Sequence, residues 1–253
     1  MSKRGIRLRL KELADIIFPR YCCCCHQLLV GDERYLCTEC QLEIPYTYNA
    51  AEEGNLTEQL FEDIREVVAA MSLLKYETSS LSRNVVHEIK YHGNEHLALA
   101  MGRKIGTALR DSRRFDGVEV LIPVPLHKRK ERFRGFNQSE LLCRGISSIT
   151  GWPIEVGVLK RVVDTESQTH KSTVERQENV ASAFVVRHPD RISGRHVLLV
   201  DDVITTGSTT RACITRLIAI PGLQVSVASL ALASKGGSHH GAEKNEESDS
   251  RAK

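Results

Sequence analysis

Residues 197–210 read Val-Leu-Leu-Val-Asp-Asp-Val-Ile-Thr-Thr-Gly-Ser-Thr-Thr. The apolar run from Val197 to Val200 has the unbroken pattern of a strand buried on both faces, as in a parallel sheet. It stops at two adjacent carboxylates, Asp201 and Asp202. A turn of small hydroxyl residues surrounds Gly207, and a helical pattern runs from Thr210 through Ile218. Strand, turn and helix start form an anion cradle, because free backbone N–H groups and the positive helix end face the same point. Gly207 allows close backbone approach. Thr205, Thr206, Ser208 and Thr209 add hydroxyl donors.

The paired acids narrow the ligand. A triphosphate loop needs a Lys after its glycines, and a dinucleotide fingerprint needs three spaced glycines; this segment has neither. Two carboxylates beside a phosphate cradle suit a sugar diol, each accepting hydrogen bonds from ribose hydroxyls. The stretch resembles the phosphoribosyl pyrophosphate (PRPP) motif of type I phosphoribosyltransferases. That resemblance implies that Asp201 and Asp202 hold the ribose 2- and 3-hydroxyls and that Thr205 to Thr209 hold the 5-phosphate.

Outward from this motif, strand-like and helix-like segments alternate. Val67–Tyr76, Glu119–Pro125, Leu159–Val163, Ala183–Val186 and Val225–Leu232 read as strands. Leu81–Leu109 carries a helical pattern broken near His92 and Gly93, and another helix is expected from about Asn137. Alternation of this kind predicts an α/β fold with a mainly parallel sheet.

Eight cysteines are many for a reducing compartment unless they have a task. Cys22-x-x-Cys25 and Cys37-x-x-Cys40, separated by eleven residues, can present four thiolates to one structural Zn²⁺. Cys23, Cys24 or His26 could replace one of the first pair, and disulfides are the other use of such a cluster. Cys143 and Cys213 fall on expected helices and read as buried apolar residues. The formal charge of +3 and 41% hydrophobic content fit an ordinary globular chain and do not by themselves call for a nucleic-acid partner. No apolar run approaches the ~20 residues of a membrane helix. The basic start, with Lys3, Arg4, Arg7, Arg9 and Lys11, lacks a secretory core. The expected location is cytoplasmic.

Lys128-Arg-Lys-Glu-Arg-Phe-Arg-Gly-Phe-Asn-Gln follows the Pro123-Val-Pro strand end. It reads as a cationic loop. Ligands of open α/β sheets sit at the carboxyl ends of strands, so this loop and the phosphate turn share a crevice if their strands share a sheet. Arg134 and the amides around Gly135 and Phe136 are then placed to hold a pyrophosphate. Lys90 to Gly93 either reach the crevice or end a helix, with the structural role favoured, and His92 and His96 read as surface residues without an acidic or thiol partner. Residues 164–180 read as a lid or an exposed polar segment. The tail from about Ser234 reads as disordered.

Together, Pro19-x-x-Cys22-x-x-Cys25, Cys37-x-x-Cys40, Ile89-Lys-Tyr-His-Gly93, Pro123-Val-Pro-Leu, Arg134-Gly-Phe-Asn-Gln138, Ser167-Gln-Thr169, Arg176, Asn179 and Asp201–Thr209 resemble the competence-associated ComF family, including its gluconate-associated members. The resemblance spans about residues 16–233. It departs at Cys23 and Cys24, and at His26, where the family commonly has Gly. It implies a type I phosphoribosyltransferase fold behind a zinc ribbon: a basic helix and ribbon over 1–46, a connector over 47–66, a phosphoribosyltransferase-like domain over 67–234 and a tail over 235–253. The expected function is PRPP binding with Mg²⁺ in DNA uptake, with or without transferase turnover. The runner-up is a module that binds single-stranded DNA or the DNA-uptake machinery, or a PRPP sensor.

Overall fold

A computed structural model describes residues 18–77, 80–162 and 183–233. The expected N-terminal basic helix (all but its last residues), the expected lid and the C-terminal tail lie outside the described residues. In chain order the elements are α1 (Thr38–Glu43), β1 (Val67–Tyr76), α2 (Leu81–Tyr91), α3 (Glu95–Ser112), β2 (Val120–Pro123), α4 (Lys128–Arg134), α5 (Gln138–Thr150), β3 (Leu159–Arg161), β4 (Phe184–Val186), β5 (His196–Ile204), α6 (Ser208–Leu217) and β6 (Gln224–Ala233).

The main sheet has the order β1-β6-β5-β2, and all its neighbours are parallel. β3 and β4 form a separate antiparallel pair. Strand alternation sorts the core into two layers. Leu198 and Val200 face α2, α3, α5 and the cysteine knuckle. Val197 and Leu199 face α6 and the β3–β4 pair. The break expected near His92 is real: α2 and α3 are separate helices, and Gly93 between them has φ +66°. The cationic stretch is not the expected loop. Lys128 to Arg134 form the short helix α4, closed by Gly135 at φ +80°.

The acidic stretch between the knuckle and β1 is fastened to the sheet by a buried polar cluster. Asn55 Nδ2 donates to the Ala70 carbonyl at 2.8 Å, and Thr57 Oγ1 donates to Ser72 Oγ at 3.0 Å. Ser72 meets Ser229 across β1 and β6 at 2.7 Å. Each buried polar atom here has a partner, which removes the desolvation penalty.

Two glycines let α3 and α5 touch backbone to backbone. A Cβ at Gly102 would lie 2.4 Å from the Leu142 carbonyl oxygen, and one at Gly145 would lie 2.5 Å from that of Leu99. Neither backbone can yield without moving a helix. Gly102→Ala is therefore expected to destabilise the protein by about 1–3 kcal/mol, read as a lowered urea midpoint. Gly151→Ala, with open space around its Cβ position, is the comparison for a purely backbone-conformational cost.

Candidate functional site

β5 lies beside β2, with Val200 paired to Pro123. The carboxyl ends of the two strands are thus neighbours, as the shared crevice requires. After β2 the chain enters α5 on one face of the sheet, and after β5 it enters α6 on the other. The chain parts between these strands, which is where open α/β sheets accept ligands.

The sequence reading assigns Asp201 and Asp202 one shared task; the structure separates them. Asp201 is buried at 7% exposure. Its Oδ2 accepts from Thr210 Oγ1 at 3.1 Å and its Oδ1 from the Asp202 amide at 2.8 Å. Asp202 lies nearer the surface and pairs with Lys90 Nζ at 3.1 Å. Successive strand residues point to opposite faces, so one acid braces the first turn of α6 and the other meets the end of α2. The turn itself is open. Thr205, Thr206 and Ser208 are exposed, and Gly207 has φ +76°. Thr206 and Ser208 hydroxyls meet at 2.7 Å. Among the described residues, the Thr205, Thr206 and Gly207 amides donate to no backbone carbonyl or side chain. Phe61 packs beneath, with its Cε1 3.5 Å from the Cβ position of Gly207.

The sequence offers Lys90 to Gly93 two roles, a reach into the crevice or a helix end, and favours the second; the structure shows both, since α2 ends at Tyr91 and Lys90 meets Asp202. The adjoining Tyr91 ring carries the Arg134 guanidinium 5.5 Å from its centroid. Arg134 also donates to Gln138 Oε1 at 3.3 Å. Phe136 approaches Gly93, its Cε1 3.8 Å from that residue's Cβ position. Ile89-Lys-Tyr-His-Gly93 and Arg134-Gly-Phe-Asn-Gln138 thus meet, and the first also touches Asp202. Asn137 fixes the second segment, donating to the Val124 carbonyl at 3.1 Å and capping α5. His92, expected to lack an acidic partner, has one: Glu88 Oε1 at 2.6 Å. His96 stacks on Tyr35 at 6.4 Å.

At the other end of α2 sits the cysteine knuckle. The sulfurs of Cys22, Cys25, Cys37 and Cys40 all lie within 4.8 Å of one another, and Cys25 and Cys37 are 3.6 Å apart. A tetrahedral zinc–thiolate site spaces its sulfurs by about 3.8 Å, so the four fit one such ion after a small contraction. All are free thiols rather than disulfides. Cys22 Sγ accepts from the Cys37 amide and Cys37 Sγ from the Cys40 amide. Burial raises the Cys22 thiol, but hydrogen bonds from the Cys25, Cys37 and Cys24 amides outweigh it and bring it to about 7. Burial and sulfur neighbours push Cys40 up. A zinc ion among the four sulfurs would draw the proton off each thiol and hold all four as thiolates. Cys24 is not in the cluster: its Sγ faces the Leu81 carbonyl at 3.6 Å, and its own carbonyl accepts from Asn84 at 3.0 Å, both on α2.

No family model matches the chain. Over 128 residues it is 35% identical to the DNA utilization protein YhgH of Salmonella typhimurium, covering 49% of this chain and 56% of that protein. It is 33% identical over 129 residues to competence protein F of Haemophilus influenzae (49% and 56%) and 30% identical over 113 residues to competence protein ComFC of Bacillus subtilis (45% and 43%). The chain is a homologue of the ComF/YhgH proteins. It spans about half the length of the curated relatives it matches. Among solved structures it is similar to a glutamine PRPP amidotransferase from B. subtilis (18% identity, TM-score 0.41, 57% of this chain and 30% of that one). It is also similar to a purine phosphoribosyltransferase from Pyrococcus horikoshii (17% identity, TM-score 0.35, 52% and 74%).

His26, the departure from the ComF pattern, has φ +60°. That is a left-handed conformation which glycine adopts freely and other residues at a cost. His26 holds this backbone shape with an exposed side chain.

Burial, with the Asp202 charge beside it, pushes the Asp201 carboxyl from 3.8 up to about 7. A carboxyl whose pKa is higher folded than unfolded contributes stability that is complete below its unfolded value and is lost as pH rises through its folded value. Asp201→Asn should therefore flatten the pH dependence between about 4 and 7 and raise the melting temperature at pH 8 by at least about 2 °C, equivalent to about 1 kcal/mol. Thermal melts of both proteins at pH 4.5 and pH 8 check this; a variant less stable than wild type at pH 8 contradicts it.

Proposed function

We propose that this protein binds PRPP with Mg²⁺ at the carboxyl ends of β5 and β2, and serves in DNA uptake or DNA utilisation as a phosphoribosyltransferase-like protein with a zinc knuckle. The reading rests on the open turn of Thr205, Thr206, Gly207, Ser208 and Thr209, whose first amides have no partner among the described residues, beside the partly buried carboxylate of Asp202. The unpaired amides and the start of α6 would hold the 5-phosphate. Asp202 would accept from a ribose hydroxyl and stabilise positive charge developing at C1. Asp201 would support the same sugar through the geometry it imposes on Thr210 and the Asp202 amide. Arg134 and the Gly135 amide would hold the pyrophosphate, and Lys90, freed from Asp202, is a second cation in reach. Magnesium, carried on the diphosphate, would neutralise charge on the pyrophosphate beside Arg134 and the Gly135 amide.

Titration calorimetry with PRPP and Mg²⁺ tests the reading. Binding by the wild type should weaken at least tenfold in Asp202→Ala. No binding by the wild type, or equal binding by the variant, removes it. Pyrophosphate release across candidate acceptors then separates a transferase from a sensor.

A nucleic-acid role draws on a different observation. Lys128, Arg129 and Arg132 are exposed on α4, beside Phe133, which is 82% exposed. Cations with an aromatic ring suit single-stranded DNA, with affinity that falls steeply with salt. The name of the relatives adds to this reading without fixing it.

The knuckle is assigned Zn²⁺ through Cys22, Cys25, Cys37 and Cys40. Metal analysis should give one zinc per chain in the wild type and in Cys23→Ser, and a loss of most of the zinc in Cys25→Ser and Cys40→Ser. Full zinc retention in Cys40→Ser would move the ligand set.

A further inference from the structure

We propose that the cleft between α3 and the outer edge of β1 is a second ligand site, built for a planar aromatic anion. β1 is an edge strand, and beyond it only the short bridge between Tyr46 and Leu74 continues the sheet. The cleft there has a volume of about 780 Å³, inside the ~300–1,000 Å³ range of small-molecule sites. It shares no lining residue with Asp201, Asp202 or the phosphate turn.

Its floor is apolar, from Met71 and Leu73 of β1, and the space exists because α3 turns Ala100 and Ala108 toward it. Two tyrosines wall the mouth. Tyr46 and Tyr48 have ring centroids 5.7 Å apart, tilted by 49°. Tyr48 is 82% exposed and sits at φ +54°, a conformation costly for an aromatic residue. Its contact with Tyr46 is the ring's recorded packing, and most of its surface is left to solvent at a strained position. The Tyr46 hydroxyl is buried and has no hydrogen-bond partner among the described residues.

Charge supplies the sign of the ligand. Arg103 and Lys104 line the cleft, and among the described residues neither pairs with a carboxylate. Lys104 Nζ instead lies 5.4 Å from the Tyr46 ring centroid. The acid on the rim, Asp111, is already paired with Arg110 at 3.1 Å. A flat ring laid on the Met71 and Leu73 floor, with the tyrosine pair along one side, would bury apolar surface, while its anionic substituent would meet Arg103 and Lys104, neither of which holds a carboxylate among the described residues. A neutral ring would gain the first term alone.

The probes are 2-naphthoate and its neutral analogue 2-naphthalenemethanol, titrated into the full chain by calorimetry, with thermal melts reporting that each variant is folded. Naphthoate should bind at least fivefold more tightly than the alcohol. Lys104→Glu should weaken it at least tenfold, and Tyr48→Gly, which also relieves the backbone, should weaken it with no loss of melting temperature. Asp202→Ala should leave it unchanged, so the result is independent of whether PRPP binds. Equal affinity for the two probes, full binding by Lys104→Glu, or loss of binding in Asp202→Ala overturns the proposal. So does sedimentation showing that a second copy of the chain covers the cleft.

Discussion

The position of β5 between β2 and β6 is the constraint from which the site follows. A strand paired in parallel on both sides is mostly apolar on both faces, and in β5 the acids begin where the pairing with β2 ends at Val200 while that with β6 runs on to Ile204. Asp201 is still in register with Ser229, so its carboxylate is turned into the layer beneath α6 and is kept there by Thr210. One residue later, Asp202 faces the opposite layer, where α2 ends. The difference of one residue in a period of two turns two identical side chains into a brace and a partly buried acid.

α2 connects the two chemically distinct ends of the molecule. Its first turn takes the Cys24 carbonyl through Asn84, and its last turn places Lys90 on Asp202 and Tyr91 under Arg134. The knuckle shares the hydrophobic layer of α2, α3 and α5. Ordering the four cysteines therefore orders the helix that touches the acid. This gives a physical reason for the cysteine knuckle to accompany the Asp202 crevice without contributing a residue to it.

The elements with strong periodicity were legible. β1 matches its expected bounds and α2 breaks before Gly93, whereas β5, expected to stop at Val200, runs through both acids to Ile204, and the helix after the turn starts at Ser208 rather than Thr210. What sequence could not supply were pairings between distant polar residues. Asn49, Asn55 and Thr57 look like ordinary connector residues, yet they are buried because β1 offers backbone and Ser72 partners. Lys90 looks like a basic residue closing a helix, a role favoured by the helix dipole, and nothing local announces Asp202. α4 has seven residues and no apolar stripe, so the periodic signal that identifies longer helices is missing. Asp201 and Asp202 are identical in composition terms, and only the register of β5 distinguishes them.

The electrostatics of the pair explain why such a site persists without its ligand. Two adjacent carboxylates at a buried strand end repel each other, and burial compounds the cost. The fold answers the two charges separately. Asp202 is offset by Lys90, and Asp201 is shifted toward its neutral form while accepting from Thr210 and the Asp202 amide. Each compensation is reversible: an ammonium can leave Asp202 for a phosphate oxygen, and a proton can leave Asp201 once positive charge arrives nearby. A site held this way is poised to accept a ligand that carries both a cation and an anion.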